Sequence, residues 1–235
     1  MAAIAWWLLL VMPVGAEPLG VCMRSAHHKP KPSPEDQLYE ECAPWKANAC
    51  CTANTSWLAH LDVSPLLGAS LSHCGLLAPD CRRHFTRALC FLHCSPNLGP
   101  WIRPEPGALQ ARRAAGVPLC KEDCEQWWED CRSASTCKDD WLHGWHRSGG
   151  RTRCPPGASC RPFPRVFPGP AALCGRLWGG TFRASGEPRG SGRCLQTWFP
   201  PGTDPNSAVA RGCPCPSPAA PLLALPLPLL LPWLS

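Results

Sequence analysis

The chain has 235 residues, of which 18 are cysteine and 30 proline, and carries a formal charge of +6. Cysteines at this density and irregular spacing, two of them adjacent in "NACC", argue against a reducing compartment and against paired C-x2-C metal knuckles; they point to an extracellular disulfide framework. The positive charge is arginine-led and scattered. That excludes the basic stripe of a nucleic-acid binder and reads as a solvated surface suited to acidic partners.

The chain opens with "MAAIAWWLLLVMPVGA", a short apolar run closed by small residues, which reads as a signal peptide over residues 1–16 despite lacking an early Lys or Arg. Ser33-Pro34-Glu35-Asp36 supplies an N-cap, a first-turn proline and first-turn acids, so a helix is expected toward Cys42. Residues 62–81 mix a turn with short apolar runs. "CRRHFTRALCFLHC" (81–94) predicts a helix with Phe85, Ala88, Leu89 and Leu92 on one face; its Arg82, Arg83 and Arg87 have no carboxylate in the stretch. Residues 95–118, rich in Pro and Gly, read as a long loop.

"VPLCKEDCEQWWEDC" (117–131) is the most helical segment, with acids on its surface and Trp127 and Trp128 expected in the core. A short helix is expected near "GPAALCGRLW", and loops with short strands over 154–167 and 189–199. The fold class is α+β: one disulfide-rich globular domain over residues 17–212, helices and short strands stapled by about eight bridges.

The tail, residues 213–235, is apolar, uncharged after Arg211 and interrupted by prolines that would disrupt a spanning helix. Small residues, a spacer and an apolar terminus fit a GPI-attachment propeptide, with Gly212 the preferred attachment residue and Ser217 the alternative. Attachment at Gly212 removes Cys213 and Cys215 and leaves an even 16 cysteines. A secreted protein with an apolar tail is the competing reading.

The strings "YEECAPWKANACC", "CSPNLGPWI", "VPLCKEDCEQWWEDC", "STCKDDW" and "SGRCLQTWF" closely resemble the folate receptor family, from about Cys22 to Ala210. The resemblance implies eight disulfides: Cys22–Cys50, Cys42–Cys90, Cys51–Cys94, Cys74–Cys160, Cys81–Cys131, Cys120–Cys194, Cys124–Cys174 and Cys137–Cys154. It also implies a GPI-anchored position on the extracellular face of the plasma membrane.

Folate-binding members grip the pterin with an acid and a stacking aromatic at i and i+4 of one helix; the aligned positions here are Ala88 and Leu92. Leu109, Gln110, Leu142 and Arg147 align with further polar or aromatic handles. Trp145 and Thr181 are the surviving ones. The resemblance therefore implies a folate pocket that has lost its recognition groups.

"HLDVSPLLGASLSHCGLL" and "ALCF" are similar to the egg-surface branch of the family, which binds the sperm immunoglobulin-superfamily protein Izumo. That branch implies an oocyte location and a partner surface at Trp57, Tyr39, Glu40 and Leu76. Asn54-Thr55-Ser56 is a glycosylation sequon whose acceptor must face water, which brings Trp57 toward the surface. For each of these side chains the alternative is ordinary packing. No catalytic set can be argued from spacing, so binding is expected rather than catalysis, by a monomer, with no metal, cofactor or nucleic acid. The competing function is folate binding and uptake.

Overall fold

The computed structural model describes residues 20–104, 112–148 and 151–212. The signal-peptide and propeptide readings, with Ser217, Cys213 and Cys215, lie outside those residues, as do Leu109 and Gln110.

The helix expected from Ser33 toward Cys42 does not form. Ser33 instead exchanges backbone hydrogen bonds with Ala49 (3.2 and 2.9 Å), and the Glu35 N–H donates to the Lys46 carbonyl at 2.8 Å. With Pro30, Pro32 and Pro34 removing donors, this segment is extended, and a 3₁₀ turn begins only at Glu40, running to Trp45. The first α-helix, α1 (Ala53–Ala59), starts behind Thr52, whose side chain accepts from the Thr55 N–H. A small antiparallel pair follows, β1 (Val63–Ser64) with β2 (Ala69–Ser70).

Helix α2 (Pro79–Cys94) is the long helix, opened by a proline in its first turn. Its expected stripe is core: Phe85, Ala88 and Leu89 are fully buried and Leu92 nearly so. Each large side chain buried here contributes roughly 1.5–3 kcal/mol. The helix is bridged at Cys81 to Cys131, at Cys90 to Cys42 and at Cys94 to Cys51. Two of its three arginines do find acids. Arg83 pairs with Asp80 (2.9 Å) and Glu41 (3.5 Å), and Arg87 with Glu41 (2.7 Å).

The stretch expected as one long loop is partly ordered into strands. β3 (Ile102–Pro104) pairs antiparallel with β4 (Arg112–Ala114), and β5 (Val117–Leu119) leads into α3 (Lys121–Asp130). In α3, Trp127 is buried but Trp128 is half-buried, its indole N–H donating to the Phe167 carbonyl at 3.1 Å. Asp123 is not a surface acid. It is 2% exposed and accepts from the Thr197 N–H (3.1 Å), the Thr197 hydroxyl (2.7 Å) and Arg189 Nε (3.0 Å). An acid sealed in this way is tolerated because its charge is paired and hydrogen-bonded.

β6 (Ser135–Thr136) pairs across the chain with β9 (Arg161–Pro162), enclosing the hairpin β7 (His146–Ser148) and β8 (Arg151–Arg153). Two short helices, α4 (Phe163–Val166) and α5 (Pro170–Arg176), precede β10 (Phe182–Ala184), which lies parallel to β5. The segment 189–199 forms no strand among the described residues beyond a single bridge between Leu119 and Leu195. Helix α6 (Asn206–Gly212) ends the described chain.

One core joins these pieces. Phe85 of α2 stacks on Trp141 at 4.7 Å and meets the Trp127 edge at 5.4 Å, and Trp178 continues the layer toward Phe182. The remaining bridges are Cys22–Cys50, Cys74–Cys160, Cys120–Cys194, Cys124–Cys174 and Cys137–Cys154. Among the described residues, the eight bridges and the core lie between Cys22 and Ala210. At typically ~2–4 kcal/mol each, and not additive, they compensate for strands of only two or three residues.

Candidate functional site

Four large hydrophobic residues stand out in water among the described residues: Tyr39 (39% exposed), Trp57 (49%), Val63 (65%) and Leu76 (92%). Two of them touch. The Tyr39 and Trp57 rings meet edge to face at 5.3 Å, and Tyr39 also packs edge to face on His60 at 4.7 Å. The arrangement is local in origin. Helix α1 presents Trp57 outward while burying Ser56 and Ala59. Ser56 Oγ donates to the Ala53 carbonyl (2.7 Å) and accepts the Tyr39 N–H (2.9 Å), which ties the preceding loop to the helix.

His60 completes the tie. Its Nε2 accepts the Glu41 N–H at 3.2 Å, which places the ring proton on Nδ1, donating to the Ser56 carbonyl at 2.8 Å. Burial lowers its pKa below the usual value, against the hydrogen bond to the Ser56 carbonyl and the charges of Glu40 and Glu41, so the neutral ring is the working form. Glu40 sits between the tied residues at φ +24°, the one non-glycine residue with positive φ among those described. Strain of this sort costs on the order of 1 kcal/mol and persists only where neighbours enforce it.

Tyr39, Glu40, Trp57, His60, Arg82 and Pro79 line a cleft of about 350 Å³. Arg82 donates to the His60 carbonyl at 2.9 Å. Leu76 does not line this cleft; it lies on the loop that leads to Pro79, and Val63 was not among the expected surface residues. Asn54 is exposed, one helical turn before Trp57 and so on the same side of α1. His60 and Arg82 were missed because nothing local in the sequence announces a histidine that accepts from a backbone 19 residues away.

The second group of expected residues has a different fate. Ala88, Leu92 and Thr181 are buried, Trp145 is half-buried and Arg147 is exposed on β7. The Trp145 indole N–H is spent on the Trp141 carbonyl at 2.7 Å, and its ring packs against His73 at 4.8 Å. None of these five lines either of the two cavities described. Below Leu92, His93 is held neutral by burial, its pKa lowered to about 3, and stacks on His28 at 4.9 Å. His27 and His28 are half-buried.

Among the described residues, cysteine side chains converge at three places: Cys42 and Cys90 with His60, Cys74 and Cys137 with His73, and Cys74, Cys154 and Cys160 without a histidine. Every one of these cysteines is in a bridge. A disulfide sulfur is not a thiolate, which leaves at most one histidine ligand per group.

The profile of the folate receptor family matches residues 21–196. The chain belongs to the folate receptor family. It is 52% identical over 196 residues to human folate receptor alpha, covering 83% of this chain and 76% of that one. To human folate receptor gamma it is 53% identical over 194 residues, covering 82% and 79%. The riboflavin-binding protein of Gallus gallus is more distant, at 33% over 178 residues, covering 74% and 70%. In this folate receptor family member, no helix among the described residues is long and apolar enough to cross a membrane.

Proposed function

We propose that this chain is a Juno-type receptor on the egg surface. It is held by a GPI lipid attached at Gly212 and binds the sperm protein Izumo as a monomer, adhering sperm to egg before fusion and catalysing nothing. Trp57 and Tyr39 act as the central anchors, with Glu40 and Leu76 beside them. Large aromatic side chains that become desolvated on docking carry most interface energy. The observation that supports this best is a contrast. The exposed aromatic pair is pre-arranged by Ser56 and His60, while positions 88 and 92 are buried and carry alanine and leucine in place of an acid and an aromatic. Immobilised Izumo ectodomain tests the reading: the ectodomain ending at Gly212 binds it saturably, and absence of binding rejects the adhesion role.

A second reading is folate binding and uptake. It is favoured by the names of the relatives, folate receptors alpha and gamma at 52% and 53% identity. It requires a pterin site built without a carboxylate at position 88. A site designed around a charged hydrogen bond loses roughly 1.5–3 kcal/mol or more with that group.

A further inference from the structure

The larger of the two described cavities, about 550 Å³, lies on a different part of the surface from Trp57. Its floor is apolar, with Trp101, Pro118 and Val209, and its rim carries Arg103, Arg183 and Arg193. No Asp or Glu lines it. Arg193 is neutralised by Glu187 at 2.8 Å. Arg103 is pinned only by backbone, Nη1 donating to the Pro100 and Ile102 carbonyls at 2.9 and 3.0 Å. Arg183 donates from Nε to the Gly116 carbonyl at 3.1 Å. Among the described residues neither Arg103 nor Arg183 has a carboxylate partner, and each is oriented by bonds that leave other guanidinium nitrogens available. Volume, apolar floor and a few placed polar groups are the ordinary marks of a small-ligand site.

The second observation is that Gly212, the attachment residue of the proposed function on which the anchor source below rests, itself lines the cavity. We propose that this cavity binds a phosphodiester presented at the membrane, its phosphate held by Arg103 and Arg183. Guanidinium groups match phosphate oxygens two at a time, which a lone ammonium cannot do. Two sources share that chemistry. A GPI anchor joined at Gly212 places its bridging ethanolamine phosphate immediately beyond the carbonyl, beside the rim. An anionic phospholipid headgroup offers the same group from the bilayer. In either case the site orients the domain on the membrane instead of leaving it to swing on a tether. The inference goes beyond adhesion: it shares no residue with the Tyr39–Trp57 surface, so Izumo binding and phosphate binding succeed or fail separately.

The test uses the ectodomain ending at Gly212, its eight bridges verified by peptide mapping, against Arg103→Gln/Arg183→Gln, with Arg183→Lys as a charge-conserving variant. Calorimetry with glycerophosphoethanolamine reads the anchor-type phosphate. Co-sedimentation with vesicles of phosphatidylcholine and phosphatidylserine in equal parts, against phosphatidylcholine alone, reads the headgroup. Saturable binding of the soluble phosphodiester, beyond any effect of chloride at equal ionic strength, supports the site and its anchor source. Preference for the phosphatidylserine vesicles supports the headgroup source. In both arms the double variant is weaker by at least about tenfold and Arg183→Lys falls between. No saturable binding in either arm, or binding unchanged in the double variant, overturns the proposal.

Discussion

Helices α1 and α2 lie against one another and bury their apolar residues differently. Helix α1 turns Trp57 outward against Tyr39 and leaves both rings half in water. Helix α2 turns Phe85, Ala88, Leu89 and Leu92 inward and leaves nothing uncovered on that face. Apolar surface already removed from water has nothing left to give to a ligand, whereas an exposed, pre-positioned aromatic pair releases its hydrophobic free energy only when a partner arrives. One disulfide-stapled scaffold thus carries an exposed aromatic pair and a packed, buried helix face a helix apart. In the proposed function the first is the docking surface and the second a ligand wall no longer used.

The comparison breaks most visibly at Ala88. Ala88→Asp places an unpaired carboxylate in the core and should destabilise the ectodomain by about 3–5 kcal/mol, read by urea unfolding or by lost secretion. Normal folding of this variant would mean that the face still opens into a polar pocket. Trp57→Ala comes next. Its affinity for Izumo should fall by about 2 kcal/mol, roughly thirtyfold, with little change in stability because the side chain is half exposed. Undiminished affinity would remove Trp57 from the site.

Acid should act on both regions. His60 holds the Tyr39–Glu41 loop through an Nε2 that must be unprotonated to accept the Glu41 N–H. Its pKa is lowered from 6.5, chiefly by burial; Glu40 and Glu41 oppose that and Arg82 adds to it. Proton uptake therefore breaks the tie below pH 6.5, and Izumo affinity should decline as the pH falls, measured by titrating binding against pH. His93 works on the fold. The unfolded chain protonates it near 6.5 and the folded chain only at about 3, so the unfolded state binds more protons between them and stability should fall as pH drops through that window. Thermal unfolding midpoints across the range check the sign. The smallest expected stability change is at Leu76: Leu76→Ser should move stability by less than about 0.5 kcal/mol because the side chain is 92% exposed. Any loss of Izumo binding then reports a lost contact.

Sequence periodicity located α2 and α3 well because each has enough residues for a helical stripe or surface to repeat. The pairing of all eight bridges was legible only through family resemblance, since spacing alone leaves connectivity open. The 33–42 segment misled because its capping residues are good local signals, overruled by the Ser33–Ala49 pairing. Asp123 looked like surface charge because its partners, Arg189 and Thr197, are 66 and 74 residues away. Tyr39 and Trp57 could be named through the family resemblance, but their mutual contact and the packing of His60 on Tyr39 are tertiary facts.

The choice between adhesion and uptake rests on the missing acid at Ala88, and a folate titration of the purified ectodomain followed by tryptophan fluorescence tests it directly. A flat response, with Izumo binding retained by the same preparation, is the predicted result. Saturable quenching at nanomolar folate would contradict it.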